Sequence, residues 1–142
     1  MLTSARNAFP VTVSAVHSGA VNDEIILSMD GGQEVVASIT QASTKRLGLA
    51  PGKKALALIK ASFVILLEDA GDWLLSTRNQ FTGTVKAVRP GAVNTEVDME
   101  LPGGQTLCAI ITLASAEKLK LAPGSTVTAA VKASHVIVAV QK

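Results

Sequence analysis

Val97, Met99 and Leu101 alternate with Glu96, Asp98 and Glu100, the period-two pattern of a strand with one face on a core and the other in water. Ile25, Leu27 and Met29 hold the matching apolar positions earlier in the chain. Val11, Val13 and Ala15 alternate within Phe9 to Val16, and Phe81 to Val88 repeats that pattern. Asp30-Gly31-Gly32-Gln33 and Pro102-Gly103-Gly104-Gln105 read as hairpin turns, because paired glycines supply the positive φ such turns need. A third strand follows each, with Val35, Ala37 and Ile39 matching Leu107, Ala109 and Ile111. Ser43 and Ser115 are expected to be helix N-caps, each opening one or two turns that end near Leu47 or Leu119, since a cap hydroxyl accepts from free backbone N–H groups. Ala50-Pro51-Gly52 and Ala122-Pro123-Gly124 carry Pro then Gly at the centre of a type II turn. Two more strands complete each unit, Ala55 to Ile59 with Phe63 to Leu67, and Val127 to Val131 with His135 to Val140, Lys-Ala-Ser lying between. The order strand-strand-strand-helix-strand-strand predicts an all-β chain of two tandem OB-like five-stranded barrels, each with a short helix, closure protecting the edges.

These paired readings follow from an internal repeat. Gly19-Ala20-Val21-Asn22 returns 72 positions later as Gly91-Ala92-Val93-Asn94. At that offset Ser4-Ala5-Arg6-Asn7 meets Ser76-Thr77-Arg78-Asn79, Gly31-Gly32-Gln33 meets Gly103-Gly104-Gln105, and Lys60-Ala61-Ser62 meets Lys132-Ala133-Ser134. Roughly half of the aligned positions are identical, without a gap. The expected domains are residues 2–68 and 74–140. Glu68, Asp69, Gly71 and Asp72 make a short polar break, and Trp73-Leu74-Leu75 is expected to anchor the second module. A link this short predicts packed modules.

Composition adds limits. Modules of about 70 residues lie near the lower bound for a self-sufficient core, and the 48% apolar, 17% charged balance predicts burial against the twin or another chain. Net charge is +2, with no basic tract to track a nucleic-acid backbone. Cys108 is the only cysteine; with Val36 as its counterpart it reads as a small core hydrophobe. The N-terminus lacks the apolar stretch of a signal peptide, and the apolar run Ala55 to Leu67 is shorter than the roughly 18 residues a membrane span needs. A soluble cytoplasmic protein with no membrane partner is the expectation.

A residue present in both halves is a candidate for shared chemistry. His17 aligns with Arg89, His135 with Phe63, and Cys108 with Val36, so no catalytic or metal-ligand constellation recurs and no enzyme is expected. His17 reads as a surface loop residue and His135 as a partly buried strand residue. The shared polar residues are Ser4/Ser76, Arg6/Arg78, Asn7/Asn79, Asn22/Asn94, Thr40/Thr112, Ser43/Ser115, Lys60/Lys132 and Ser62/Ser134. Almost all can donate hydrogen bonds, and Arg and Lys can only donate. Glu24/Glu96 is the one acidic position kept in both halves. The backbone around Gly19-Ala20-Val21 and Gly91-Ala92-Val93 can form an anion-binding concavity, and a helix start at Ser43 or Ser115 favours negative charge. Donors without carboxylates suit a small, fully deprotonated oxyanion. Structural alternatives stand beside this: Asn22 and Asn94 tolerating a left-handed corner, Arg6 and Arg78 in surface ion pairs, Lys60 and Lys132 as solvated strand ends.

Ser-x-Arg-Asn, Gly-Ala-Val-Asn, Gly-Gly-Gln, Thr-x-x-Ser and Lys-Ala-Ser, in this order and spacing, resemble the Mop repeat of molybdenum-pterin-binding proteins. Two repeats filling the chain resemble the di-Mop molbindins of the ModG type. The resemblance implies OB-like barrels, binding of molybdate or tungstate oxyanion without a redox cofactor, and intracellular molybdenum storage or homeostasis. It implies anions held between subunits of a homotrimer with six barrels. It also implies donors from Ser4, Ala5, Arg6 and Asn7; Gly19, Ala20, Val21 and Asn22; Thr40 and Ser43; and Lys60, Ala61 and Ser62, with Ser76, Thr77, Arg78, Asn79, Gly91, Ala92, Val93, Asn94, Thr112, Ser115, Lys132, Ala133 and Ser134 in the second repeat. Thr77 for Ala5, Pro90 for Ser18 and Arg89 for His17 make the halves unequal. Two other classes remain open. An OB-type single-stranded nucleic-acid module would stack bases on aromatics, of which only Phe9, Phe63, Phe81 and Trp73 exist. A purely structural oligomerisation module would need no ligand.

Overall fold

The computed structural model describes residues 1–68 and 71–142; Asp69, part of the polar break, lies outside them. In the first repeat β1 is Asn7–Ser18, β2 Asn22–Met29, β3 Glu34–Thr40, α1 Gln41–Leu47, β4 Lys54–Ile59 and β5 Ile65–Leu67. In the second, β6 is Asn79–Pro90, β7 Asn94–Glu100, β8 Thr106–Thr112, α2 Leu113–Lys118, β9 Thr126–Val131 and β10 Ile137–Ala139. Short 3₁₀ turns, Ala61–Phe63 and Ala133–His135, precede β5 and β10. Those turns take the first residues of the strands expected at Phe63 and His135.

The strands form two five-stranded antiparallel sheets, ordered β10-β4-β1-β2-β3 and β5-β9-β6-β7-β8. Each curls into an OB-like barrel, with β3 approaching β10 and β8 approaching β5. The last strand of each barrel therefore comes from the other repeat. Ile137 pairs with Leu58, and Ile65 pairs with Ala130. This corrects the expectation that each repeat completes its own barrel. The reason lies in residues 60–64. A tight hairpin needs positive φ at its turn, but Lys60 has φ −69 and Val64 φ −87, both extended. The chain leaves β4 in a 3₁₀ turn and crosses to its twin.

The alternating pattern is confirmed in the first strands. Phe9, Val11 and Val13 of β1 are buried, as are Phe81 and Val85 of β6. Both long strands bulge, between Val13 and Ala15 and between Val85 and Ala87, which bends them round the barrel. The Pro-Gly turns lock these bulges: Gly52 N–H donates to Val13 at 2.8 Å and Gly124 N–H to Val85 at 2.8 Å. Apolar side chains from both barrels merge into one core cluster.

A seam of reciprocal polar contacts joins the repeats. The Asn7 amide donates to the Cys108 carbonyl at 2.8 Å and accepts from the Cys108 N–H at 2.7 Å. Asn79 does the same for Val36, at 2.7 Å each way. Both asparagines are 1% exposed. Each side chain acts as a one-residue strand, satisfying backbone groups that burial would otherwise leave unpaired. Packed modules are thus observed, but Trp73 and Leu74 do not anchor them; they are 80% and 99% exposed.

Candidate functional site

The repeated polar segments meet at the boundary between barrels. Asn7 pairs with Ile59, which precedes Lys60, so Ser4-Ala5-Arg6-Asn7 adjoins Lys60-Ala61-Ser62. Asn79 pairs with Val131 likewise, placing Ser76-Thr77-Arg78-Asn79 beside Lys132-Ala133-Ser134. Asn22 lies opposite Thr40 across β2 and β3, and Asn94 opposite Thr112 across β7 and β8. The first 3₁₀ turn packs on β8 and the second on β3. Strand exchange thus brings the Lys-Ala-Ser turn of one repeat to the Gly-Ala-Val-Asn corner and helix start of the other.

A cleft of about 470 Å³ shows the result: Ser62 of the first repeat shares it with Asn94, Thr112, Ser115 and Lys118 of the second. Among the described residues, no carboxylate lines it. Thr112 is the helix cap, correcting the expectation for Ser115, and Thr40 rather than Ser43 caps α1. Thr112 Oγ1 accepts from the Ser115 N–H at 3.1 Å and donates to Ser115 Oγ at 2.8 Å. Thr40 and Ser43 repeat this at 3.1 and 2.9 Å. With its oxygen accepting, each serine hydroxyl keeps its own proton to donate outward. The helices are seven and six residues long, so these hydroxyls carry more of the site's polarity than a macrodipole does.

The corners are tight. A Cβ on Gly19 would run into the Asn22 carbonyl oxygen, and one on Gly91 into that of Asn94. Val21 and Val93 are 72% exposed, while their carbonyls accept from the Gln41 and Leu113 N–H groups at 2.9 and 2.8 Å, tying each corner to its helix. Ala20 and Ala92 are exposed between them. Neither Asn22 nor Asn94 is left-handed, contrary to the structural alternative for them; Lys120 is the only non-glycine with positive φ among the described residues.

Arginine placement favours the ion-pair alternative within one chain. Arg6 bridges Glu96 at 2.5 Å, and Arg78 bridges Glu24. Glu96 also meets Arg89 at 3.3 Å, and Arg89 meets Asp98 at 3.0 Å. The Arg6 hydrogen bond, aided by Arg89, holds the Glu96 carboxyl below the usual carboxylate range despite some desolvation. Lys60 and Lys132 are exposed, with Lys60 Nζ 5.3 Å from the Phe63 ring centre. Phe63 stacks on His135 at 4.3 Å, so the two Lys-Ala-Ser turns face each other. His135 therefore sits in a turn, not a strand, and His17 lies on β1 opposite Glu24 rather than in a loop. Burial, reinforced by Asp98, pushes the Cys108 thiol up to about 11, which keeps it protonated.

The TOBE domain model matches residues 3–66 and again residues 75–138. The chain belongs to the TOBE-domain family. A crystal structure of the cytoplasmic molybdate-binding protein ModG, with molybdate bound, matches with a TM-score of 0.97 and 43% identity, covering 99% of this chain and 100% of that one. Molybdenum-pterin-binding protein MopA of Rhodobacter capsulatus is 46% identical over 98% of this chain and 52% of its own length. Molybdenum transport protein ModE of Herbaspirillum seropedicae is 45% identical over 100% of this chain and 53% of its own. The chain spans about half the length of the curated relatives it matches.

Two residues of this TOBE pair have no identical counterpart in the other repeat. Lys118 lines the cleft, and its counterpart is Arg46; the charge recurs though the residue does not, a signal that matching by charge would have found. Asp23, 2% exposed, sits beneath the first corner, where its carboxylate accepts from the Gly19 N–H at 3.2 Å. Its counterpart is Thr95, so no rule based on repetition could find it.

Proposed function

We propose that this protein binds molybdate and tungstate in the cytoplasm, for storage and homeostasis of the oxyanion rather than for catalysis or redox chemistry. The observation that carries the reading is the cleft where Ser62 meets Asn94, Thr112, Ser115 and Lys118, with no carboxylate among the described residues of its lining. A tetrahedral dianion offers acceptors in every direction and no proton, so donors alone match it. Binding by ModG of the same architecture supports the choice of ligand.

The binding set is proposed as Ser4, Arg6, Thr40, Ser43, Lys60 and Ser62 with the backbone of Ala5, Gly19, Ala20, Val21 and Ala61, and with Asn22. Ser76, Thr77, Arg78, Gly91, Ala92, Val93, Asn94, Thr112, Ser115, Lys132, Ala133 and Ser134 are the second copy. Asn7 and Asn79 serve these sites chiefly by fixing the seam, since their amides already hold Cys108 and Val36. The working form is a homotrimer of six barrels. Ile65, Ile137, Val21 and Val93 are 62–72% exposed on a single chain, at equivalent places in both repeats, which suits burial against neighbouring subunits. On assembly, Arg6 and Arg78 exchange their carboxylate partners for the anion.

Equilibrium dialysis with molybdate, tungstate, sulfate and phosphate tests the proposal. Micromolar binding of the first two is expected; molybdate failing to bind at that level would sink it. The nucleic-acid alternative keeps only Trp73 and Phe63, itself stacked on His135, as exposed aromatics, since Phe9 and Phe81 are each 6% exposed in the core. A ligand-dependent rise in melting temperature separates an oxyanion protein from a purely structural module.

A further inference from the structure

The two Gly-Ala-Val-Asn corners share backbone and sequence but differ in what lies beneath them. Asp23 and Thr95 occupy the same register, Asp23 opposite Ser18 and Ile39, Thr95 opposite Pro90 and Ile111. Both are buried, at 2% and 1% exposure. Under the first corner the Asp23 carboxylate accepts from the Gly19 N–H at 3.2 Å, its one hydrogen bond among the described residues. Under the second, the Gly91 N–H turns instead to the Asn94 carbonyl at 2.7 Å. The Thr95 hydroxyl is buried without a partner.

We propose that Asp23 makes the first corner the weaker of two unequal oxyanion sites, and that position 23/95 sets the difference in affinity between the repeats. This rests on the reading of the corners as oxyanion sites. A carboxylate without bulk solvent around it acts on a neighbouring dianion through a lower effective dielectric than water, and that interaction is repulsive. Threonine at the same place is neutral, and its hydroxyl proton is uncommitted. The second corner therefore presents an oxyanion with donors only, while the first sets a fixed negative charge behind them. The asymmetry gives one chain a tight reservoir and a looser one that empties first.

Calorimetric titration of the assembled protein with sodium molybdate is the test, on wild type, Asp23→Asn and Thr95→Asp. Asp23→Asn keeps the shape and an acceptor for Gly19 while removing the charge. Wild type should show two affinity classes separated by about tenfold or more, as expected for a like charge near the ligand. Asp23→Asn should strengthen only the weaker class, drawing the two together. Thr95→Asp should weaken the tight class by about tenfold, and it reads the same position independently should Asp23→Asn fold poorly. Molybdate binding in which neither substitution shifts any class would overturn the inference and leave the oxyanion reading standing. Wild type that binds no molybdate would overturn both.

Discussion

Asn7 and Lys60 are spatial neighbours drawn from the same repeated donor set, yet one is a seam residue and the other lies on a rim. Asn7 starts β1, is 1% exposed, and spends its amide on the backbone of the opposite repeat. Lys60 follows β4, is exposed, and holds its ammonium 5.3 Å from the Phe63 ring centre. Recurrence in both halves therefore does not distinguish architecture from chemistry. Burial does, because a buried polar group must be satisfied inside the fold, whereas an exposed donor remains available to a ligand.

The seam should yield the largest effect. Asn7→Ala leaves the Cys108 N–H and carbonyl without partners, and each unsatisfied buried group costs about 1–3 kcal/mol. Urea denaturation should therefore show a loss of about 3 kcal/mol, and a similar loss for Asn79→Ala, with little change in intrinsic ligand affinity. A loss below about 1 kcal/mol would mean that water replaces the amide and that the seam is not structural.

The rim should behave in the opposite way. Lys60→Ala with Lys132→Ala is expected to leave stability nearly unchanged and to weaken molybdate by roughly tenfold to a hundredfold, since a charge-assisted hydrogen bond is worth about 1.5–3 kcal/mol. Dialysis showing unchanged affinity and stoichiometry would remove both lysines from the ligand shell.

The repeats differ also where neither seam nor rim is involved. Gly48 ends α1 at φ 62, and its counterpart Lys120 adopts φ 52 after α2. A side chain in the left-handed region costs about 1–2 kcal/mol, partly offset by the extra unfolded-state freedom of glycine. Lys120→Gly should then stabilise the protein by about 1 kcal/mol, read as a rise in melting temperature.

The smallest effect belongs to the exposed ion pairs. Glu96 has a folded pKa lowered by Arg6 and Arg89. Its contribution is present above the unfolded carboxylate value and is lost as pH falls through the folded one. Glu96→Gln should flatten the acid side of the stability profile slightly and leave the neutral side nearly unaltered. Added salt should shrink the difference further, as screening predicts.

Strands, turns and repeat are legible in the order of residues, since these rest on local rules. Thr95, Val97 and Met99 are buried in alternation because one face of β7 lies on the core, and Pro51-Gly52 turns the chain because proline and glycine fit those dihedrals. The same order exposes the donor set, because Lys60 and Ser62 recur at fixed spacing. The caps lie three residues before the expected serines, since Thr40 and Ser43 are both cap-forming types and only backbone dihedrals separate them. Tertiary structure alone decided which barrel receives β5 and β10, because the 3₁₀ turn after Lys60 directs the chain outward while nothing in the strand's own pattern names its partner. It alone put Ser62 beside Asn94 and Thr112, residues brought together across the repeat boundary by that exchange. And it alone buried Asp23 under one corner and Thr95 under the other, a difference whose physical weight comes from desolvation, which only the folded chain creates.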